Sequence, residues 1–229
     1  MDLFVAFSLS IYSEDGSTTT ERVFYDKDIH KSVNISNKYQ WTDTPQFTIY
    51  NQDCEVTIYD KNAELQRYIN HNQIITGDKV KVNLVKRENG QLTTIYEINE
   101  YVISDISYKM ATDEVTFTLS DELLYNGVDR YFADNNTESI YVESKTGKEW
   151  ITLLLGKIFP ENNKYIVYKN GVSDLLDTII FPSLLVKNDL ATNIIEDFCM
   201  TFGLVVYMQN GDVVVDRFEQ RRGNEQWQQ

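Results

Sequence analysis

Two histidines, His30 and His71, are the only imidazoles in the sequence. A serine or cysteine nucleophile, or a metal site of the common kinds, would have to recruit one of them. Neither sits in a recognisable motif. His71, within Ile69-Asn70-His71-Asn72-Gln73, and His30, beside Asp28 and Lys31, both read as loop histidines without assigned chemistry. Thr146-Gly147-Lys148 has the outline of a phosphate-binding loop. That loop needs a glycine five residues before its second glycine and a hydroxyl after the lysine, and those places hold Val142 and Glu149. Thr146 and Glu149 instead form a capping box, with the hydroxyl serving the amide of Glu149 and its carboxylate reaching back. Carboxylates are abundant, but a glycosidase pair is recognised by separation in space, which the sequence does not disclose. Asp174 and Asp177 stand three apart and are read as a surface turn. Asp53 with Asp60, and Asp113 with Glu114, lack the ordered alternation of a calcium loop. Cys54 and Cys199 are far apart and fit neither a disulfide framework nor a zinc ribbon, so both are expected to be small buried or half-buried hydrophobes. No catalytic, metal or cofactor residue is assigned, and the chain is not read as an enzyme.

The aromatics offer more. Tyr12, Tyr25, Tyr50, Tyr59, Tyr96, Tyr101, Tyr108 and Tyr125 fall on or beside expected strands, where an amphipathic ring suits an interface or a sugar-stacking face as well as ordinary strand propensity. The net charge of -14 sets nucleic acid aside as a bound partner, since most of the surface repels a polyanion. The basic doublets Lys86-Arg87 and Arg221-Arg222 have no interleaved aromatics and are expected to be solvated. At 229 residues, with 42% hydrophobic and 13% aromatic content, the chain can bury two small cores. Its N-terminal apolar stretch, residues 3–10, lacks the flanks of a secretory signal and is too short to span a bilayer, so neither export nor membrane insertion is expected.

These residues need strands to carry them. Residues 3–12 lead into the turn formers Ser13-Glu14-Asp15-Gly16-Ser17 and a second strand over 22–25, and Val33 and Ile35 alternate with polar neighbours as a third. Phe47-Thr48-Ile49-Tyr50-Asn51 and Val56-Thr57-Ile58-Tyr59-Asp60 read as two strands joined by a polar link, Gln52-Asp53-Cys54-Glu55. A short helix is expected over 63–70, with Leu65, Tyr68 and Ile69 on one side. After Gly77-Asp78, strict alternation puts Val80, Val82 and Leu84 on one strand face. Asn89-Gly90 marks a hairpin, with Thr93, Thr94 and Ile95 returning, and 101–108 pairs with 114–119. About seven or eight short strands at this spacing suggest a barrel or a sandwich. Beyond a polar loop at 134–138 the pattern becomes helical, first from Gly147 with Trp150, Ile151, Leu154, Leu155 and Ile158 on an apolar face up to Pro160. A second amphipathic helix carries Leu190, Ile194, Ile195, Phe198 and Phe202 and stops at Gly203. It runs into a hairpin over 204–215 that turns at Asn210-Gly211, and a polar tail follows from 221. The expected fold is mainly β with an α+β second part: a tube-like barrel or sandwich domain over 1–120, then a smaller helix-plus-hairpin domain over 121–229.

The order of these features resembles the tail hub, knob and tube-like proteins of tailed bacteriophages. Ile74-Ile75-Thr76-Gly77-Asp78-Lys79-Val80-Lys81-Val82, a hairpin, then Tyr101-Val102-Ile103-Ser104-Asp105-Ile106 resembles the first tube-like domain of a hub. Asn188-Asp189-Leu190, Phe202-Gly203-Leu204-Val205-Val206-Tyr207 and Asn210-Gly211-Asp212-Val213-Val214-Val215 are similar to the helix-and-hairpin module that follows it. The likeness spans 47–216, although family hubs are usually longer, with further domains closing the tube. It implies a structural virion protein, made in the host cytoplasm, in a homo-oligomeric ring, trimeric or hexameric, contacting neighbouring tail proteins around a channel through which the genome passes without specific binding. The alternative is a carbohydrate-binding β module that stacks sugars on exposed tyrosines and Trp41 or Trp227. A carboxylate-dependent glycosidase ranks third.

Overall fold

The computed structural model describes residues 2–13, 15–29, 34–38, 51–133, 138–160, 164–209 and 211–217, with backbone alone for 27, 34–38 and 51–53. His30, the first expected strand at 47–50, Trp41, Trp227, Arg221-Arg222, Asn210 and most of the expected loop at 134–138 lie outside these residues. The described residues divide into two compact units.

The first unit is built on seven strands: β1 (Asp2–Tyr12), β2 (Thr19–Tyr25), β3 (Asn34–Lys38), β4 (Asn51–Tyr59), β5 (Lys79–Glu88), β6 (Gln91–Lys109) and β7 (Glu114–Ser120). They form one sheet in the order β2-β1-β5-β6-β7-β4-β3, every described neighbour antiparallel. The protein is mainly β, and the barrel-or-sandwich choice resolves to a single sheet curled into a half-barrel. Strand alternation supplies the core: Phe7 and Leu9 from β1, Val80 and Val82 from β5, Tyr101 and Ile103 from β6, Val115, Phe117 and Leu119 from β7, Val56 and Ile58 from β4.

Two expectations change here. The link at 52–55 is not a turn but part of β4, because Cys54, Val56 and Ile58 alternate onto the buried face while the polar residues between them point the other way. The two strands placed at 93–95 and 101–108 are one strand, β6, of 19 residues. Its register against β5 skips Ile98 and Ile95, and against β7 it skips Ser104. Such bulges break the two-residue period, so the sequence pattern looks interrupted where the backbone is continuous. The hairpin between β5 and β6 turns at Asn89 (φ 52°) and Gly90 (φ 80°), the paired positive values of a type I′ turn.

Helix α1 (Glu64–Asn70) packs Leu65 into this core, with Tyr68 and Ile69 against its margin. Its seven residues are too few to be stable alone, and its start is fixed from outside the helix. Asp60, at the end of β4 and 5% exposed, accepts the backbone N–H groups of Glu64 at 2.8 Å and Leu65 at 3.0 Å on Oδ1, and of Gln66 at 2.9 Å on Oδ2. The last element of this unit, α2 (Glu122–Gly127), buries Leu123.

The second unit contains β8 (Ser139–Val142), β9 (Lys145–Thr146), α3 (Gly147–Ile158), β10 (Ile166–Tyr168), α4 (Val172–Thr178), β11 (Ile180–Phe181), β12 (Leu184–Lys187), α5 (Ala191–Phe202), β13 (Leu204–Gln209) and β14 (Asp212–Arg217). The capping box at Thr146 and Glu149 is present in both directions, and the five apolar residues expected on α3 are all buried. Gly203 ends α5 in the left-handed conformation at φ 63°. A run of ring contacts from Phe132 through Trp150 and Phe181 to Phe198 and Phe202 ties α3 and α5 together. The hairpin β13–β14 takes β10 as a third, parallel strand. Asp174 and Asp177, expected on a surface turn, lie on α4, a helix anchored by buried Val172 and Leu176.

Removing the three-bond cap with Asp60→Ala is expected to cost about 2 kcal/mol, roughly twice the effect of Thr146→Ala at the α3 cap. Urea unfolding of both variants followed by circular dichroism checks the order. Equal midpoint shifts would show that α1 does not depend on Asp60.

Candidate functional site

Several of the residues considered for chemistry are engaged in holding the fold. The His71 amide N–H bonds the Arg67 carbonyl and closes α1. Lys148 Nζ donates to Ser173 Oγ at 2.9 Å, approaches Asp177 Oδ2 at 3.5 Å and stands 5.4 Å from the centre of the Tyr168 ring, which joins α3 to α4. Asp113 sits in the turn before β7 with φ 51°, and Glu114 is buried. Among the described residues no group of three His, Cys, Asp or Glu side chains could hold a metal ion, and no helix is long and apolar enough to cross a membrane.

Cys54 and Cys199 are free and buried, and burial pushes each thiol up to about 12. They behave as the small hydrophobes expected of them. Lys86 pairs with Glu88 at 2.7 Å, while Arg87 lies 3.4 Å from Asp2 and covers the Phe4 ring at 5.0 Å, so this doublet is a paired surface feature.

The tyrosines separate into two groups. Tyr101 is fully buried and belongs to the core, and Tyr25 packs edge-on against Phe4. Tyr12, Tyr59 and Tyr96 are exposed. Tyr12 and Tyr59 lie on β1 and β4, with β5, β6 and β7 between them, so they are not on neighbouring strands.

Three surfaces remain. The first is the sheet face opposite the core. The register places Ser8 beside Val23 and Lys81, Lys81 beside Glu100, Glu55 beside Thr118, and Thr118 beside Asp105. Thr57 and Thr116 bridge neighbouring strands through their hydroxyls at 3.0 Å. This face carries Glu21, Glu55, Glu100 and Asp105 against Lys79 and Lys81, while Ala6, Ser8, Thr57, Asn83, Val85 and Val102 on it are buried. The second surface continues the core face past the end of the core. There Val5 opposes Leu84 and Leu84 opposes Tyr96, while Leu3 stands one pleat further on. Leu3 is 53% exposed and Tyr96 60%, and bulged Ile95 beside them is 50% exposed. The third is a cleft of about 340 Å³ between β2 and α1, where Thr18, Thr20 and Arg22 face Tyr68 and Gln73, with Tyr12 at its end.

The sheet-plus-helical architecture is shared with prophage tail proteins. One is the 43 kDa tail protein of prophage MuSo2 from Shewanella oneidensis, which is 10% identical with a TM-score of 0.52, the match covering 95% of this chain and 56% of that one. Another is a tail protein from Neisseria meningitidis MC58, 13% identical with a TM-score of 0.53, covering 94% and 50%. The chain thus spans about half the length of these neighbours. No protein-family model matches the sequence, and neither does any curated protein.

Sequence reading missed the overhang and the cleft. Leu84 and Tyr96 were visible as strand residues, but their exposure depends on where β1 and α1 stop covering the sheet. The cleft joins residues about fifty positions apart.

With thiols near 12, about one in ten thousand is ionised at pH 8, and both are buried. Neither cysteine is therefore expected to react with an aromatic disulfide reagent in the native protein, and both should react in guanidinium. Rapid native labelling of either one would contradict this burial.

Proposed function

We propose that the chain is a non-enzymatic structural component of a phage tail, assembling with copies of itself into a trimeric or hexameric ring, as hub, knob or tube element, through which DNA passes. The observation that carries this reading is the fold likeness to two prophage tail proteins over 94–95% of the chain. What those proteins build is extended to this one on that basis.

Physical features of the first unit support it. A wall that lets DNA slide must not hold it, and the net acidic sheet face on a chain of charge -14 meets that need by repulsion. The overhang of Leu3, Leu84, Ile95 and Tyr96 is a group of large apolar side chains outside any core, the kind of surface that subunit contacts cover. The outer strands β2 and β3 end the sheet on opposite sides, so a head-to-tail arrangement can bring unlike edges together and close a ring. Neighbouring tail proteins would supply the surfaces above and below.

Light scattering behind a sizing column, over a range of concentration and salt, tests the reading. A trimer or hexamer is expected. The double variant Leu3→Glu, Tyr96→Glu should weaken association about a hundredfold, the effect of losing roughly 1.4 kcal/mol at each of two contacts, while its circular dichroism is unchanged. A chain that stays monomeric alone and when mixed with its neighbouring tail proteins would refute the proposal.

A further inference from the structure

The cleft lies between α1 and the outer strand β2, and its walls are set before anything enters it. On one side the β1–β2 turn is fixed around Asp15, whose carboxylate accepts from the hydroxyls of Ser13 and Ser17 and the amide of Ser17, while the Thr18 amide donates to Ser13 Oγ at 3.0 Å. These bonds hold the Asp15 carboxyl down at about 2. On the other side, Glu64 of α1 accepts from Arg22 at 2.7 Å and from the Tyr68 hydroxyl at 3.1 Å, which ties the helix to the edge strand across the base of the cleft. Gln73 closes the end through reciprocal bonds with Tyr12: the Tyr12 amide donates to the Gln73 carbonyl at 3.1 Å, and Gln73 Nε2 donates to the Tyr12 carbonyl at 2.8 Å.

The lining restricts what could bind. Its volume of about 340 Å³ sits at the lower end of small-molecule sites, roughly 300–1,000 Å³. Threonine and serine hydroxyls, a carboxamide, a guanidinium and two phenols surround it, so an apolar ligand would leave several polar groups without partners. A free anion would meet the Glu64 carboxylate beside Arg22, on a strongly acidic chain. A free cation would meet Arg22. A neutral polyhydroxyl ring matches alternating donors and acceptors with no net charge to compensate, and it can lay its apolar C–H face on a phenol ring.

We propose that this cleft binds a neutral pyranose, one sugar ring in size, through Arg22, Thr20 and the tyrosine rings at its base and end. Its lining comes from one chain, so a monomer would carry it.

Saturation-transfer NMR on the full chain, using methyl glucopyranoside, methyl galactopyranoside and N-acetylglucosamine as probes, tests it. Saturation of at least one sugar is expected, and Thr20→Val and Arg22→Gln should each weaken its binding by about three- to tenfold, the loss of one hydrogen bond. Thr20 is exposed, so its variant is expected to fold normally, and circular dichroism confirms that for both. No transfer to any of the three sugars would overturn the proposal. So would transfer that persists unchanged in both variants, or a preference for N-acetylneuraminic acid, since that would place an anion where the charges oppose it.

Discussion

The first unit depends on one strand. Within the sheet order of the described residues β6 joins β5, with β1 and β2 beyond it, to β7, with β4 and β3 beyond it, and an isolated bridge between Ile29 and Ile58 links the two sides again. Its middle section buries Tyr101, Val102 and Ile103 in succession, which is possible only because both of its edges are paired and both faces are covered there. The bulges at Ile95, Ile98 and Ser104 sit along this strand. Each adds a residue to one side of a ladder, and extra residues bend and twist a sheet. The curl of the half-barrel, the overhang at one end of β6 and the cover provided by α1 are consequences of how this strand is paired.

Much of the fold was legible because local chemistry and tertiary demand agree. The Asn89-Gly90 turn, the Thr146–Glu149 box and the Gly203 stop each combine a residue type with a conformation few others adopt, and each stands where the sequence puts it. The errors share a cause as well. β4 and β6 were divided because polar residues inside a strand look like a loop when the second face of the sheet is itself polar. Cys54 within Gln52-Asp53-Cys54-Glu55 was the available sign, since a buried thiol between carboxylates fits alternation better than a turn. The short strands β8 to β12 and helix α4 have too few residues for periodicity to emerge, and they are held by long-range partners such as Thr146 against Ile180 and Leu184 against Val142.

The fold likeness was legible through the order of motifs and not through any single side chain. Among the described residues, Asp60 and Glu149 cap helices, Lys148 joins two helices, and Cys54 and Cys199 pack in cores. The exposed surfaces are set by coverage. A residue becomes part of an exposed apolar patch or a cleft according to which neighbour ends beside it, and sequence carries that information only through the complete topology.

The central claim is that the chain forms part of a ring around the axis of a phage tail, with the polar face of its sheet toward the channel. Electron cryomicroscopy of tail particles containing this chain tests it most directly. The account predicts a symmetric ring on the tail axis with Glu55, Lys81 and Asp105 lining the opening. A position off the axis, or a ring whose channel is lined by a different surface, would contradict it.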